Sequence, residues 1–463
     1  MTRTFLLLIL TVTFPALAQQ TQKAQQEKMP VIQLTIRPAA EPRPALKYQF
    51  LPPVLDETPG NAALLYHTAI EIVSNADQKE KNKKIKDWVD LPLNKLPSSK
   101  EVDELTAYKA AMPYIELASQ RERCDWERPM SEGFNLDLPD LSSMRSIARY
   151  VALQTRMQIS KEHLGTAIHT LQTGFSISRH IADGSTVICD LVGIAIGDMM
   201  LKQVEQLIQA PGAPNFYWAL TSLPCPFVNI HRSIQQESFV LYRTYPFLLD
   251  LETKPPTLQQ YHTLNDVLVR IVTVTTETSQ KKLTDMAIKD DYPNAKRYLI
   301  EQGKSSQQVE AMPALQAVLI YYVRTYENAR DDIFKWFNVP YWQGRDGVGQ
   351  EEQQIDKLIK QVPNNKFLVL ARSFGRFYFI ATNLDRHIAA LRCIEAVRLF
   401  AAAHNNKLPN SLNDITEVPI PNDPMSGKQF VYTVSGSKAI LESSPPPGHP
   451  AHDGIKYEIT LVQ

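Results

Sequence analysis

Histidine and cysteine are the side chains best suited to metal binding and nucleophilic chemistry, and this chain has ten of the first and four of the second. Their spacing builds no known site. His163 and His169 are six residues apart, which puts them on different faces of a helix. No His-Glu-x-x-His pair is present to hold zinc. His387 lies among Leu384, Ile388 and Leu391 on an apolar helical face, where a hydrogen-bonded core histidine is expected. His449, His452 and Asp453 gather in a proline-rich loop. Three such groups suit a weak metal site, but no fourth ligand accompanies them and a plain loop is expected.

The carboxylates and glycines say little more. Asp290-Asp291 and Asp331-Asp332 are adjacent pairs that diverge on a helix, so solvated charge is the expectation. No nucleophile elbow, phosphate loop or dinucleotide fingerprint occurs. The run Gly344-Arg345-Asp346-Gly347-Val348-Gly349 follows no strand pattern and reads as a turn between helices. Phe216, Tyr217 and Trp218 form one aromatic cluster, and Trp336, Phe337, Tyr341 and Trp342 a second. Exposed, these would stack on sugars or peptides; core packing is the expectation. No catalytic residue, cofactor-binding residue or metal ligand is therefore assigned, and no cofactor is expected. A hidden active site would show itself as His231, His262 or His387 beside two carboxylates.

The elements that would position these residues are helical. From Asn61 to about residue 405 apolar residues recur at helical spacing. Met144, Ile147, Ala148 and Val151 share one face, then a turn near Ser160 leads to Leu164, Ala167, Ile168, Leu171 and Phe175 on another. That is a hairpin of tetratricopeptide-like length, although no 34-residue repeat recurs. Val187 to Leu201 is apolar nearly all round apart from Asp190 and Asp198, as a central helix would be. Its Gly193 and Gly197 allow a neighbour to come close, and Pro211-Gly212 ends it. A further helix is expected from near Pro293 to Gly303. Ser305 and Gln308 have capping-box spacing for the next one, which Pro313 interrupts. The expected fold is mostly α, a helical hairpin bundle or array, with a small C-terminal antiparallel β element.

The two ends differ from the body. Residues 1–18 have a basic start, an apolar run and Ala16-Leu17-Ala18, which reads as a secretory signal peptide cut between Ala18 and Gln19. Residues 19–60 read as a proline-rich tail or linker with one short strand at Ile32 to Ile36. Residues 61–405 form the helical domain, and 406–463 a small β module with strands near Phe430 to Val434, Ala439 to Ser443 and Tyr457 to Leu461. The first and last of these four strands share an alternation and are expected to pair. Export permits disulfides, and Cys124 with Cys225, both at helix ends or loops, is the expected bridge.

Two resemblances bear on the chain. Pro59-Gly60-Asn61-Ala62-Ala63, Arg123-Cys124-Asp125-Trp126, Leu171-Gln172-Thr173-Gly174-Phe175, the run from Pro211 to Leu220 and Lys335-Trp336-Phe337 carry the first. On these the mature chain resembles a family of uncharacterised exported proteins of planctomycete bacteria, which implies export and no particular chemistry. The second rests on Leu408-Pro409-Asn410-Ser411-Leu412, the stretch from Pro421 to Lys428, and a strand bearing Tyr432. It is similar to the C-terminal part of type II secretion major pseudopilins. In that family a late acidic loop binds calcium; here the prolines from Pro445 to Pro447 stand in its place, leaving only Asp453-Gly454. The family's N-terminal membrane helix and prepilin cleavage site are missing, so only the geometry of the small module carries over.

The function classes narrow accordingly. Equal numbers of basic and acidic residues, 49 of each, give no electrostatic footprint for nucleic acid. No stretch after the signal is long and apolar enough to span a membrane. The expectation is a periplasmic or secreted, non-enzymatic scaffold whose helical hairpins present a groove to a protein partner in the envelope. The alternative is an envelope hydrolase with a site assembled from distant helices.

Overall fold

The structure, a computed structural model, describes residues 28–74, 78–275, 285–372 and 374–462. The signal sequence and its expected cleavage at Ala18 and Gln19 lie outside the described residues. Helix makes up 63% of the described residues, and a small antiparallel sheet forms near the C-terminus, as the periodicities require. The chain divides into two compact units built from interleaved stretches. Pro129–Asp137 and Ser233–Phe379 belong to one; Ala24–Arg128, Leu138–Arg232 and Ile380–Gln463 belong to the other.

In the larger unit the predicted hairpin is α1 (Asp140–Ser160) and α2 (Leu164–Ala182). The turn between them is closed by Glu162 at φ 60°. Next comes α3 (Val187–Gln209), whose first turn is capped by the Thr186 side chain accepting from the Cys189 amide. All three helices touch one another. Glycine makes this possible: a Cβ at Gly193 would stand 2.6 Å from the Ser178 carbonyl oxygen. The Ser178 hydroxyl instead donates to the Gly193 carbonyl at 2.6 Å. The unit's last helix is α4 (Phe374–Ala403), from Ile380 onward. It stops where Asn405 and Asn406 turn left-handed, at φ 52° and 58°.

The early strand β1 (Val31–Ile36) does pair with the last strand. A two-stranded parallel pair, β2 (Thr58–Asn61) with β3 (Arg121–Arg123), has no alternation and left no trace in the sequence. The hairpin β4 (Val431–Ser435) and β5 (Lys438–Ser443) joins antiparallel to β6 (Ile455–Leu461). Strand order is β1-β6-β5-β4, with β1 parallel to β6 and Leu34 opposite Ile459. Leu34, Ile36, Tyr457 and Ile459 are buried on the inner face. The outer side of β1 is blunted by α3, whose Gln209 side chain accepts from the Thr35 amide at 3.0 Å.

The proline-rich stretch is no free linker. Phe50 is fully buried, its ring 5.6 Å from Phe175 and 5.4 Å from Phe216. The Ala39 amide donates to the Arg398 carbonyl at 3.2 Å, and Gln172 donates to the Gln49 carbonyl at 3.0 Å. Burial of one phenylalanine is worth about 1.5–3 kcal/mol, enough to hold an extended segment with few bonds of its own. The expected disulfide is also absent: Cys124 and Cys225 are both free thiols. Cys124 is buried among Asp183, Arg128 and Asp140, whereas Cys225 is exposed beside Asp385 and Arg392.

The smaller unit contains His231–Thr244's helical continuation from Ser233, then Leu258–Thr275, Asp285–Glu301, Ala314–Phe334 and Tyr341–Gln361. The Ser305–Gln308 capping box forms as expected, on a short helix, and Pro313 is the N-cap of the next. Pro293 sits inside a helix rather than at its start. The glycine-dense run is helical too, within Tyr341–Gln361. Its glycines serve packing: a Cβ at Gly347 would overlap the Trp336 ring. No helix among the described residues is long and apolar enough to cross a membrane.

Candidate functional site

Helix α3 carries two acids, Asp198 and Glu205, seven residues and nearly two turns apart, so both lie on one face. His387 of α4 lies between them. Its Nδ1 is 3.0 Å from an Asp198 oxygen and its Nε2 is 2.9 Å from Glu205 Oε1. Tyr457, on the inner face of β6, donates to Glu205 Oε1 at 2.6 Å. Lys202, one turn along α3, pairs with Asp198 at 3.0 Å. His387 and Glu205 are buried, while Asp198 sits at the rim with 37% of its side chain exposed.

Two effects compete for the His387 proton. Burial lowers the pKa, but hydrogen bonds to Asp198 and Glu205 and the charges of those acids outweigh it, raising it to about 9. Burial would raise Asp198, yet the His387 hydrogen bond and charge, with Lys202, hold it well below its ordinary value. The ring is thus an imidazolium with both N–H groups donating. A histidine so held has no lone pair for a proton or a metal. Its chemistry is that of a charged clamp joining α3, α4 and, through Glu205, the terminal sheet.

A second buried node sits higher on α4. Arg398 is 1% exposed and pairs with Glu395 at 2.8 Å. Its guanidinium also donates to the carbonyls of Arg37 at 2.9 Å, Pro214 at 3.1 Å and Ala213 at 2.7 Å. Glu395 accepts from the Phe216 amide at 2.7 Å. Near the other end of the unit, Arg128 grips Asp140 with two bonds of 2.9 and 2.8 Å. Burial pushes the neighbouring Cys124 thiol well up, and Asp183 adds to it, so it is no thiolate nucleophile. His180 accepts or donates at Nδ1 with the Tyr66 hydroxyl, 2.9 Å away; burial lowers its pKa to about 4 and keeps it neutral.

The residues singled out by type fall apart in space. His387 is the hydrogen-bonded core histidine its apolar face implies. His163, His169, His231 and His262 are exposed, with His231 held by Asn229 at 2.9 Å. His449 meets Asp453 at 2.9 Å, and the Asp453 carbonyl accepts from Arg386. Asp291 corrects the solvated-pair expectation: it is buried, accepting from Tyr322 and from Asn364. Phe216, Tyr217, Phe337 and Tyr341 are buried core, while Trp342 is 43% exposed. Glu205 and Tyr457 were not legible as site residues: the seven-residue spacing from Asp198 is a signal for Glu205, and nothing local in the sequence points to Tyr457. A half-open cleft of about 570 Å³ lies at the turn end of β4, lined by Lys407, Leu408, Asn410, Val434, Ser437 and Leu461 among others. Comparison with known protein families, curated proteins and solved structures returns no match.

Proposed function

We propose that this protein is an exported, non-enzymatic scaffold of the cell envelope, periplasmic or secreted, that binds a protein partner. The observation that carries this reading is His387. It has the two neighbouring carboxylates that an active site would need, yet both its nitrogens are committed to them. The place for the partner is the outer edge of β4, which no other described strand covers. An extended segment added there would run past the cleft containing Lys407. The resemblance to exported planctomycete proteins and the signal-like start support the location. Affinity capture from the envelope should return one specific partner for the wild-type chain and for His387→Gln, but not for Val434→Pro, which removes a β4 amide. Envelope-polymer hydrolysis by the wild type that disappears in a folded His387→Gln protein would overturn the reading.

A further inference from the structure

The helix Thr106–Ser119 is apolar on two faces, and only one of them is covered. Tyr108, Ala111, Ile115 and Ala118 are buried. Opposite them Ala110, Pro113, Tyr114 and Leu117 repeat the i, i+3, i+4, i+7 spacing and are exposed, Tyr114 by 38% and Leu117 by 48%. Neighbouring elements carry further exposed apolar side chains. Leu64, 68% exposed, comes from the helix Ala62–Ser74 packed alongside. Val54 and Leu55, 80% and 97% exposed, precede Thr58, whose amide donates to the carbonyl of Gln120 just past the helix end. Scattered exposed apolar residues need no explanation, but a helical stripe of them marks an interface.

We propose that the occupant of this stripe is a second copy of the same chain, bound through a two-fold axis that crosses the helix between Pro113 and Tyr114. Antiparallel pairing about that point sets Ala110 against Leu117 of the second copy, small against large, and Pro113 against Tyr114. The charges agree with the shape. Lys109 and Glu116 lie on the same flank of the stripe, and the two-fold axis brings each Lys109 beside the other copy's Glu116, about 3 Å apart along the axis. Glu116 has no basic partner among the described residues. Lys109 is held only by exposed Asp103 at 2.7 Å, a contact of small worth that can be exchanged or shared. Equal numbers of acidic and basic residues leave no net repulsion between copies. This interface is separate from the β4 edge and does not depend on it.

Sedimentation velocity of the mature chain over a concentration series tests this. The wild type should dimerise, Leu117→Glu should be monomeric, and Lys109→Glu or Glu116→Lys alone should each weaken association several-fold. Leu117 and Lys109 are exposed and Glu116 is half-buried at the flank, so circular dichroism should match the wild type. Mixing Lys109→Glu with Glu116→Lys in equal amounts should restore the dimer, because both cross-contacts are again of opposite sign. A wild-type chain that stays monomeric at every concentration overturns the proposal and leaves the stripe to a different protein. A dimer indifferent to Leu117→Glu, or single reversals that the mixture does not rescue, overturn it equally.

Discussion

Tyr457 and His387 share one acceptor: both point at Glu205 Oε1, from 2.6 Å and 2.9 Å. The oxygen therefore bridges a strand near the chain's end to a helix seventy residues earlier in sequence. Three elements meet at one carboxylate: without Glu205 the Tyr457 hydroxyl loses this acceptor, whereas His387 keeps Asp198.

His387→Gln tests that dependence. Glutamine keeps some hydrogen bonding but removes the positive charge between Asp198 and Glu205. Breaking a buried ion pair by deleting one partner costs about 3–5 kcal/mol. Urea unfolding followed by a probe in the larger unit should show a loss of that order. An unchanged midpoint would mean that the cluster contributes nothing net.

The same cluster sets a pH profile. The pKa of His387 is raised to about 9 in the folded chain from an ordinary 6.5. Its contribution is therefore fully present below about pH 6.5 and is lost as the pH rises through 9. Asp198, held low, acts in the opposite sense: its contribution is present above its ordinary 3.8 and is lost only on deeper acidification. Melting temperature measured across this range should fall between pH 6.5 and 9 in the wild type. His387→Gln should flatten that alkaline slope.

In the smaller unit, Gly347→Ala separates propensity from packing. Alanine is the better helix former by up to about 1 kcal/mol. Its methyl group would overlap the Trp336 ring, however, and overpacking of this kind costs about 1–3 kcal/mol. Packing should win, with net destabilisation and a shifted Trp336 fluorescence. A stabilised variant would show that the ring moves aside freely.

How much of this was legible follows from what each residue reports locally. The apolar faces of α1 and α2, the cap at Ser305 and the alternation of β1 and β6 are local patterns, and each marked its element. Gly347 misled because glycine density suggests a turn, whereas here the missing side chain makes room for an indole from another element. Phe50 misled because six prolines around it spell a linker, and nothing nearby in sequence announces Phe175 and Phe216 as its neighbours. Glu205 lies past the apolar run from Val187 to Leu201 and drew no reading of its own; only the fold brings His387 and Tyr457 to it. Local order could be read, and long-range polar pairing could not.

Arg398→Lys addresses the tail directly. Lysine keeps the charge beside Glu395, so a role limited to that ion pair would survive the change. The guanidinium does more: separate N–H groups reach Arg37, Ala213 and Pro214 carbonyls as well as the Glu395 carboxylate. An ammonium cannot match that fork, and at least one buried carbonyl would be left without its donor, at about 1–3 kcal/mol each. The tail bond through Arg37 is lost first, while Phe50, the Trp218 bond to Glu41 and the Gln172 bond to the Gln49 carbonyl still hold the segment further along. Limited proteolysis should therefore cut Arg398→Lys between residues 37 and 50 sooner than the wild type, while the helical content stays the same. Phe50→Ala, which removes the other anchor at about 3–5 kcal/mol, should release the same stretch. Because both anchors hold one segment, the double variant should cost less than the two single losses added together. Full additivity would mean that the two anchors hold independently.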